Sequence, residues 1–117
     1  MLKSKIIAAA IALSFSIGGY AASAKTILFV PQDDRPVSYT YTVSTAEKAG
    51  YTVLTPPKIY LSGKDYHGSP EQIWRWVTDN ISRADAAVLS TDTLIYGGLV
   101  DSRKHNDSLR TLQYREN

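Results

Sequence analysis

Apolar residues along this chain fall into runs of three kinds, and each kind predicts a different element. The first is Ile6 to Ile17, a twelve-residue apolar stretch that follows Lys3 and Lys5 and is broken by Gly18 and Gly19. The second kind is short and continuous. Lys25-Thr26-Ile27-Leu28-Phe29-Val30 stops at Pro31, Tyr51-Thr52-Val53-Leu54 is closed by Thr55-Pro56-Pro57, and Ala86-Ala87-Val88-Leu89-Ser90 follows Arg83-Ala84-Asp85. Such runs do not alternate, which suits strands covered on both faces, as in a parallel sheet. The third kind has helical spacing: Ile73, Trp76, Val77, Asn80 and Ile81. Before it, Ser69 caps, Pro70 takes the first helical position, and Gln72 stands where it bonds back to the cap. This spacing turns Trp76 inward and Trp74 to a flank.

Between the first two strands the pattern is double. Val37, Tyr39, Tyr41 and Val43 alternate as in a strand, while Ser44 with Glu47 makes a capping box and Gly50 suits the position after a helix end. We read an extended loop to about Tyr41, then a short helix ending at Ala49. The order β-α-β-α-β predicts an α/β fold with a mostly parallel sheet of at least three strands, order 2-1-3, Rossmann-like or flavodoxin-like. Ser108 to Asn117 begins like a helix after Asp107 and stops without a Gly or Pro terminator. Three strands also leave two open edges. The expectation is one domain that is the amino-terminal part of a longer protein.

The first apolar run changes the meaning of the rest. Ala22-Ser23-Ala24 follows it with the small-x-small pattern of signal peptidase cleavage. Spanning a bilayer takes about 18 or more apolar residues, and this run is shorter. Residues 1–24 therefore read as a signal peptide cut after Ala24. Residues 25–117 read as a secreted, periplasmic or cell-envelope domain without a stable membrane anchor. They carry eleven Lys/Arg and eleven Asp/Glu, so the formal charge of +2 belongs to Lys3 and Lys5. A basic stripe for phosphate contacts is absent, which excludes nucleic acid as a partner. Cys is absent too, so stability rests on an apolar core and not on disulfides.

Ligands of parallel sheets gather at the carboxyl ends of the strands. Strand one ends in Gln32-Asp33-Asp34-Arg35-Pro36. Strand three runs into Thr91-Asp92-Thr93, then Tyr96-Gly97-Gly98 and Ser102-Arg103. If the two strands are neighbours, about 4.8 Å apart, Asp33 or Asp34 approaches Asp92. Paired carboxylates suit general acid–base work, a metal site or hydrogen bonds to sugar hydroxyls. The same residues also serve as helix caps and turn formers, and Arg35 as a local ion-pair partner. Tyr96-Gly97-Gly98 is not a dinucleotide fingerprint, which needs three glycines after strand one; a structural turn or close ligand approach accounts for it. His67 and His105 are lone histidines in polar loops and read as solvent-exposed. Without metal-ligand spacing no metal residue is assigned. Ser44, Ser62 and Ser69 lack a nucleophile-elbow context.

Ile27 to Val37, then Ala49-Gly50-Tyr51 and Pro56-Pro57-Lys58, resemble a bacterial family catalogued as domain of unknown function 4127. Leu89 to Val100, with Ser102-Arg103, is similar to a second signature of that family. Gln32 departs from the pattern, standing where an apolar residue is expected. The resemblance implies a chain several times longer and points to Asp-Asp-Arg-Pro and Tyr-Gly-Gly as the places to look, without naming a reaction or a cofactor. The leading expectation is a hydrolase of extracellular or cell-envelope carbohydrate. Asp33, Asp34 and Asp92 supply acid, base or hydrogen bonds; Arg35 and Arg103 orient them, and Tyr96, Gly97 and Gly98 line the ligand. Many aromatics (Tyr39, Tyr41, Tyr60, Tyr66, Trp74, Tyr96) are available to stack on sugar rings. The alternatives are a non-catalytic glycan-binding or envelope-scaffolding module and a metal-dependent phosphoesterase.

Overall fold

The computed structural model describes residues 24–117, so the signal-peptide reading lies outside the described residues except for Ala24. Strand β1 (Thr26–Val30), helix α1 (Thr40–Lys48), strand β2 (Thr52–Leu54), helix α2 (Pro70–Asn80) and strand β3 (Ala86–Leu89) follow one another as the patterning predicts. The sheet is all parallel with order β2-β1-β3. Two further helices, α3 (Leu99–Lys104) and α4 (Leu109–Glu116), follow β3. This is an α/β architecture compatible with a Rossmann-like or flavodoxin-like fold.

β1 lies at the centre because its Ile, Leu, Phe and Val suit a strand covered on both faces. The two faces are covered unequally. Leu28 and Val30 are fully buried in one cluster with Leu61, Ile73, Val77 and Leu94, on the α2 side. Burying such side chains contributes about 1.5–3 kcal/mol each, so this face holds the domain together. On the other face Ile27, Phe29 and Val88 meet α1, a helix without a fully buried residue, and Val88 stays 55% exposed.

Three local expectations are corrected. α1 starts at Thr40, so Ser44 sits inside it and does not cap it. The turn opened by Pro36 feeds straight into the helix: Ser38 and Tyr39 amides donate to the Arg35 carbonyl, and the Tyr41 amide donates to Pro36. Those bonds form the first turn before the capping box is reached. The far end is as predicted, with Gly50 left-handed at φ 98°. Helix α2 begins at Pro70 as expected, but the Ser69 hydroxyl makes no cap bond. Trp74 is also not a free flank. Its indole N–H donates to the Leu94 carbonyl at 3.0 Å, and both tryptophans pack against the core.

At the amino end of the sheet, the Thr26 amide donates to the Asp85 carboxylate and the Asp85 amide to the Thr26 carbonyl, both at 2.7 Å. No helix among the described residues is long and apolar enough to cross a membrane.

Candidate functional site

The carboxyl ends of β1 and β3 are stitched by the segments that leave them. The Ser90 amide donates to Val30 (3.0 Å), the Thr93 hydroxyl to the Pro31 carbonyl (2.6 Å), and the Leu99 amide to the Gln32 carbonyl (3.1 Å). A third segment, Leu61 to Gly68, joins them, because the Asp34 amide donates to the Ser62 carbonyl at 3.0 Å. Three loops therefore meet where parallel sheets hold ligands.

The carboxylates proposed from sequence are committed separately. Asp33 is buried, and Arg35 folds back on it through its amide (3.1 Å), Nε (2.9 Å) and a terminal nitrogen (2.7 Å). Burial is the largest influence on the Asp33 carboxyl and pushes upward. The hydrogen bonds of Arg35 and Ser38, with the guanidinium charge, outweigh it and hold the group below the usual carboxylate range. Asp34 accepts the Tyr66 phenol hydrogen bond, which raises the phenol's pKa. Asp92 opens a π-helical turn over Asp92–Tyr96, and its backbone carbonyl accepts the amides of Gly97 and Gly98 at 3.1 Å. Its side chain makes no hydrogen bond among the described residues. The segments meet as expected, but no bond joins Asp33 or Asp34 to Asp92. Arg103 lies exposed on α3 and joins none of these groups.

A different pair occupies this end. Asp101, 7% exposed, accepts from His67 Nδ1 at 2.6 Å on one oxygen and from the Gly68 amide at 3.0 Å on the other. In a neutral imidazole, this contact puts the proton on Nδ1 and leaves the lone pair on Nε2. The His67 side chain is 88% exposed, so that nitrogen is open to a ligand. The ring faces a groove of about 410 Å³ whose wall includes Tyr96, His105, Glu71 and Arg115. Tyr96 is half-buried there, its ring 4.6 Å from that of His105.

Glycines make the pairing possible. A Cβ on Gly68 would stand 1.9 Å from the Gly97 carbonyl oxygen. Gly97 itself is left-handed at φ 108°, and a Cβ there would lie 2.8 Å from Asp101 Oδ2. Only with both side chains missing do the two backbones come close enough for Asp101 to reach residues 67 and 68. Gly98 packs on Ser62, whose buried hydroxyl has no partner among the described residues. Gly97 and Gly98 thus shape the site through backbone contact, whether or not a ligand also touches them.

Asp101 carries no local signature in the sequence, Ser62 stands outside a nucleophile elbow, and His67 reads as a solvated loop residue. The available signal was glycine next to polar chemistry in two separate loops, Tyr66-His67-Gly68 and Tyr96-Gly97-Gly98 with Asp101 three residues on. Among the described residues no three His, Cys, Asp or Glu side chains converge as a metal site. No curated protein and no solved structure matches this chain. The family described as "Protein of unknown function (DUF4127)" matches residues 27–117, a span that takes in all three loops of the site, and the chain belongs to that family.

Proposed function

We propose that this is an exported hydrolase of extracellular or cell-envelope carbohydrate in which His67, held by Asp101, is the general base. The observation that carries the reading is the buried Asp101 carboxylate 2.6 Å from Nδ1 of an exposed imidazole in a polar groove. Orientation by a buried carboxylate is what makes a histidine an effective proton acceptor. In the step, Nε2 takes a proton from water as the water oxygen bonds to the sugar's electrophilic carbon. The bond from that carbon to the leaving oxygen breaks, and a carboxyl group at this end of the sheet protonates the leaving oxygen. We assign that task, and bonds to sugar hydroxyls, to Asp34 and Asp92, which leave the carboxyl ends of β1 and β3. Asp33 and Arg35 instead brace the turn that carries Asp34. Tyr66, 53% exposed beside Asp34, supplies the exposed aromatic that a sugar site requires.

The test is turnover of bacterial envelope polysaccharide by the exported full-length protein and its His67→Ala variant. Loss of a general base is expected to slow turnover by about 10²–10⁴-fold, beside a stability loss of about 1–3 kcal/mol because the buried Asp101 carboxylate keeps only the Gly68 amide. Equal turnover by the two proteins sinks the assignment. Saccharide binding without turnover by the wild type replaces it with a non-catalytic glycan-binding module.

A further inference from the structure

Beyond the His67 groove lies a second one of about 630 Å³, lined by Glu71, Trp74, Arg75, Tyr114, Arg115 and Asn117. Glu71 and Arg115 line both grooves, so their ion pair is a shared wall. We infer that this second groove is a saccharide subsite selective for sugars that carry a carboxylate; the inference rests on the carbohydrate reading of the first groove.

Three observations support it. The first is an aromatic surface held at fixed orientation. Trp74 is anchored by its indole bond to the Leu94 carbonyl, which fixes the plane of the ring at the groove. Tyr114, on α4, is 81% exposed in the same groove. A large exposed aromatic lining the same groove as an anchored indole is costly to leave in water and matches the apolar face of a pyranose ring.

The second observation is the rigidity of the wall. Arg115 is only 11% exposed and is fully engaged: Nε and a terminal nitrogen reach Glu71 at 3.0 and 2.9 Å, and the other terminal nitrogen reaches the Ile95 carbonyl at 2.7 Å and Asp107 at 3.3 Å. One side chain thereby ties α4 to α2 and to the π-helical turn. The subsite is assembled before a ligand arrives, so binding carries little ordering cost.

The third is the charge left over. Arg115 is shared between Glu71 and Asp107, whereas Arg75 is exposed and forms no ion pair among the described residues. The groove therefore presents one unpaired guanidinium beside two aromatic rings. A planar fork of donors next to a stacking surface favours a carboxylate on the stacked ring over a hydroxymethyl group. A chain of such sugars lying across the Glu71–Arg115 wall places one unit against the aromatics and its neighbour in the groove of His67.

The test measures binding of polygalacturonate, alginate and hyaluronate, each beside its carboxyl-reduced form, to the exported full-length protein. Tryptophan fluorescence is the readout, and a Trp76→Phe variant leaves Trp74 as the described reporter. At least one acidic polymer is expected to bind about tenfold more tightly than its reduced form, the worth of one charge-assisted hydrogen bond. Arg75→Gln removes that preference and keeps the weaker binding, while Tyr114→Ala weakens both forms. Both side chains are exposed, so neither variant threatens the fold. Equal binding of acidic and reduced forms by the wild type overturns the inference, as does an unchanged preference in Arg75→Gln. Repeating the titration with His67→Ala separates the two readings. Selective binding without turnover by the wild type retains the subsite and removes the hydrolase. Turnover that depends on His67 without charge preference does the reverse.

Discussion

Asp33 and Asp101 are the two buried carboxylates among the described residues, 3% and 7% exposed, and they are satisfied in opposite ways. Asp33 sits in a closed local unit. Its partner Arg35 is two residues away, in the same turn, and the pair neutralises itself. Asp101 draws its partners from thirty-four and thirty-three residues back, across a backbone crossing that two glycines permit. One arrangement ends in a saturated ion pair and the other in an imidazole with a free nitrogen in a groove. Burial alone therefore does not distinguish a carboxylate that closes a turn from one that orients an exposed imidazole. What the partner has left to offer does.

The strongest way to break the contrast is through the crossing itself. Gly68→Ala places a methyl 1.9 Å from the Gly97 carbonyl oxygen, with backbone on both sides and no flexible side chain to yield. Overpacking of this kind typically costs about 1–3 kcal/mol and sometimes more, and here the upper end is expected. A urea melt should show the loss, and turnover should fall with it because Asp101 no longer reaches His67. A stable variant with normal turnover would mean that the crossing does not organise the site.

That dependence explains what was legible in the sequence. The sheet could be read because each strand announces itself locally: Thr26 to Val30, Thr52 to Leu54 and Ala86 to Leu89 are short β-rich runs bounded by Pro, Gly or Asp. Their parallel pairing then follows from the β-α-β-α-β succession. Asp33 and Arg35 could be read for the same reason, since their pairing lies within one turn. The His67–Asp101 pair has no local signature. Its geometry comes from two loops meeting across the sheet end, and a loop histidine without tertiary context is indistinguishable from a solvated one. Trp74 was misjudged on the same ground, because the carbonyl that anchors it belongs to a π-helical turn twenty residues on.

A narrower comparison replaces each carboxylate by its amide. Asp101→Asn still accepts the Gly68 amide on its one carbonyl oxygen, but it no longer fixes the His67 tautomer with a charge. Stability is expected to change by about 1 kcal/mol and turnover to fall by about 10²–10³-fold. Asp33→Asn should invert the pattern. The Arg35 guanidinium is 53% exposed and finds water when released, so the loss stays near the lower part of the about 1–3 kcal/mol range for an unmade charged hydrogen bond. Turnover should hold within about tenfold, since Asp33 acts only through the turn that carries Asp34 and bonds neither His67 nor Asp101. Matching losses of turnover in both variants would erase the distinction between the two sites.

The smallest effect is a pH dependence, and its sign follows from the Asp33 pair. Arg35 and Ser38 hold the folded carboxyl below its ordinary value despite burial, so the folded protein keeps this group ionised to lower pH than the unfolded chain does. The stabilisation is then complete above the unfolded value of about 3.9 and is lost as pH falls through the folded one. Wild type and Asp33→Asn should differ by a constant margin between about pH 8 and pH 5, and the margin should shrink below about pH 4 as the unfolded chain, and then the folded one, takes up the proton. Urea midpoints at half-unit pH intervals resolve this, since both proteins share every other titrating group. A margin that widens in acid would put the Asp33 shift on the wrong side of its ordinary value. It would also undo the contrast with Asp101, because a carboxyl that prefers its proton in the fold is not neutralised by the arginine beside it.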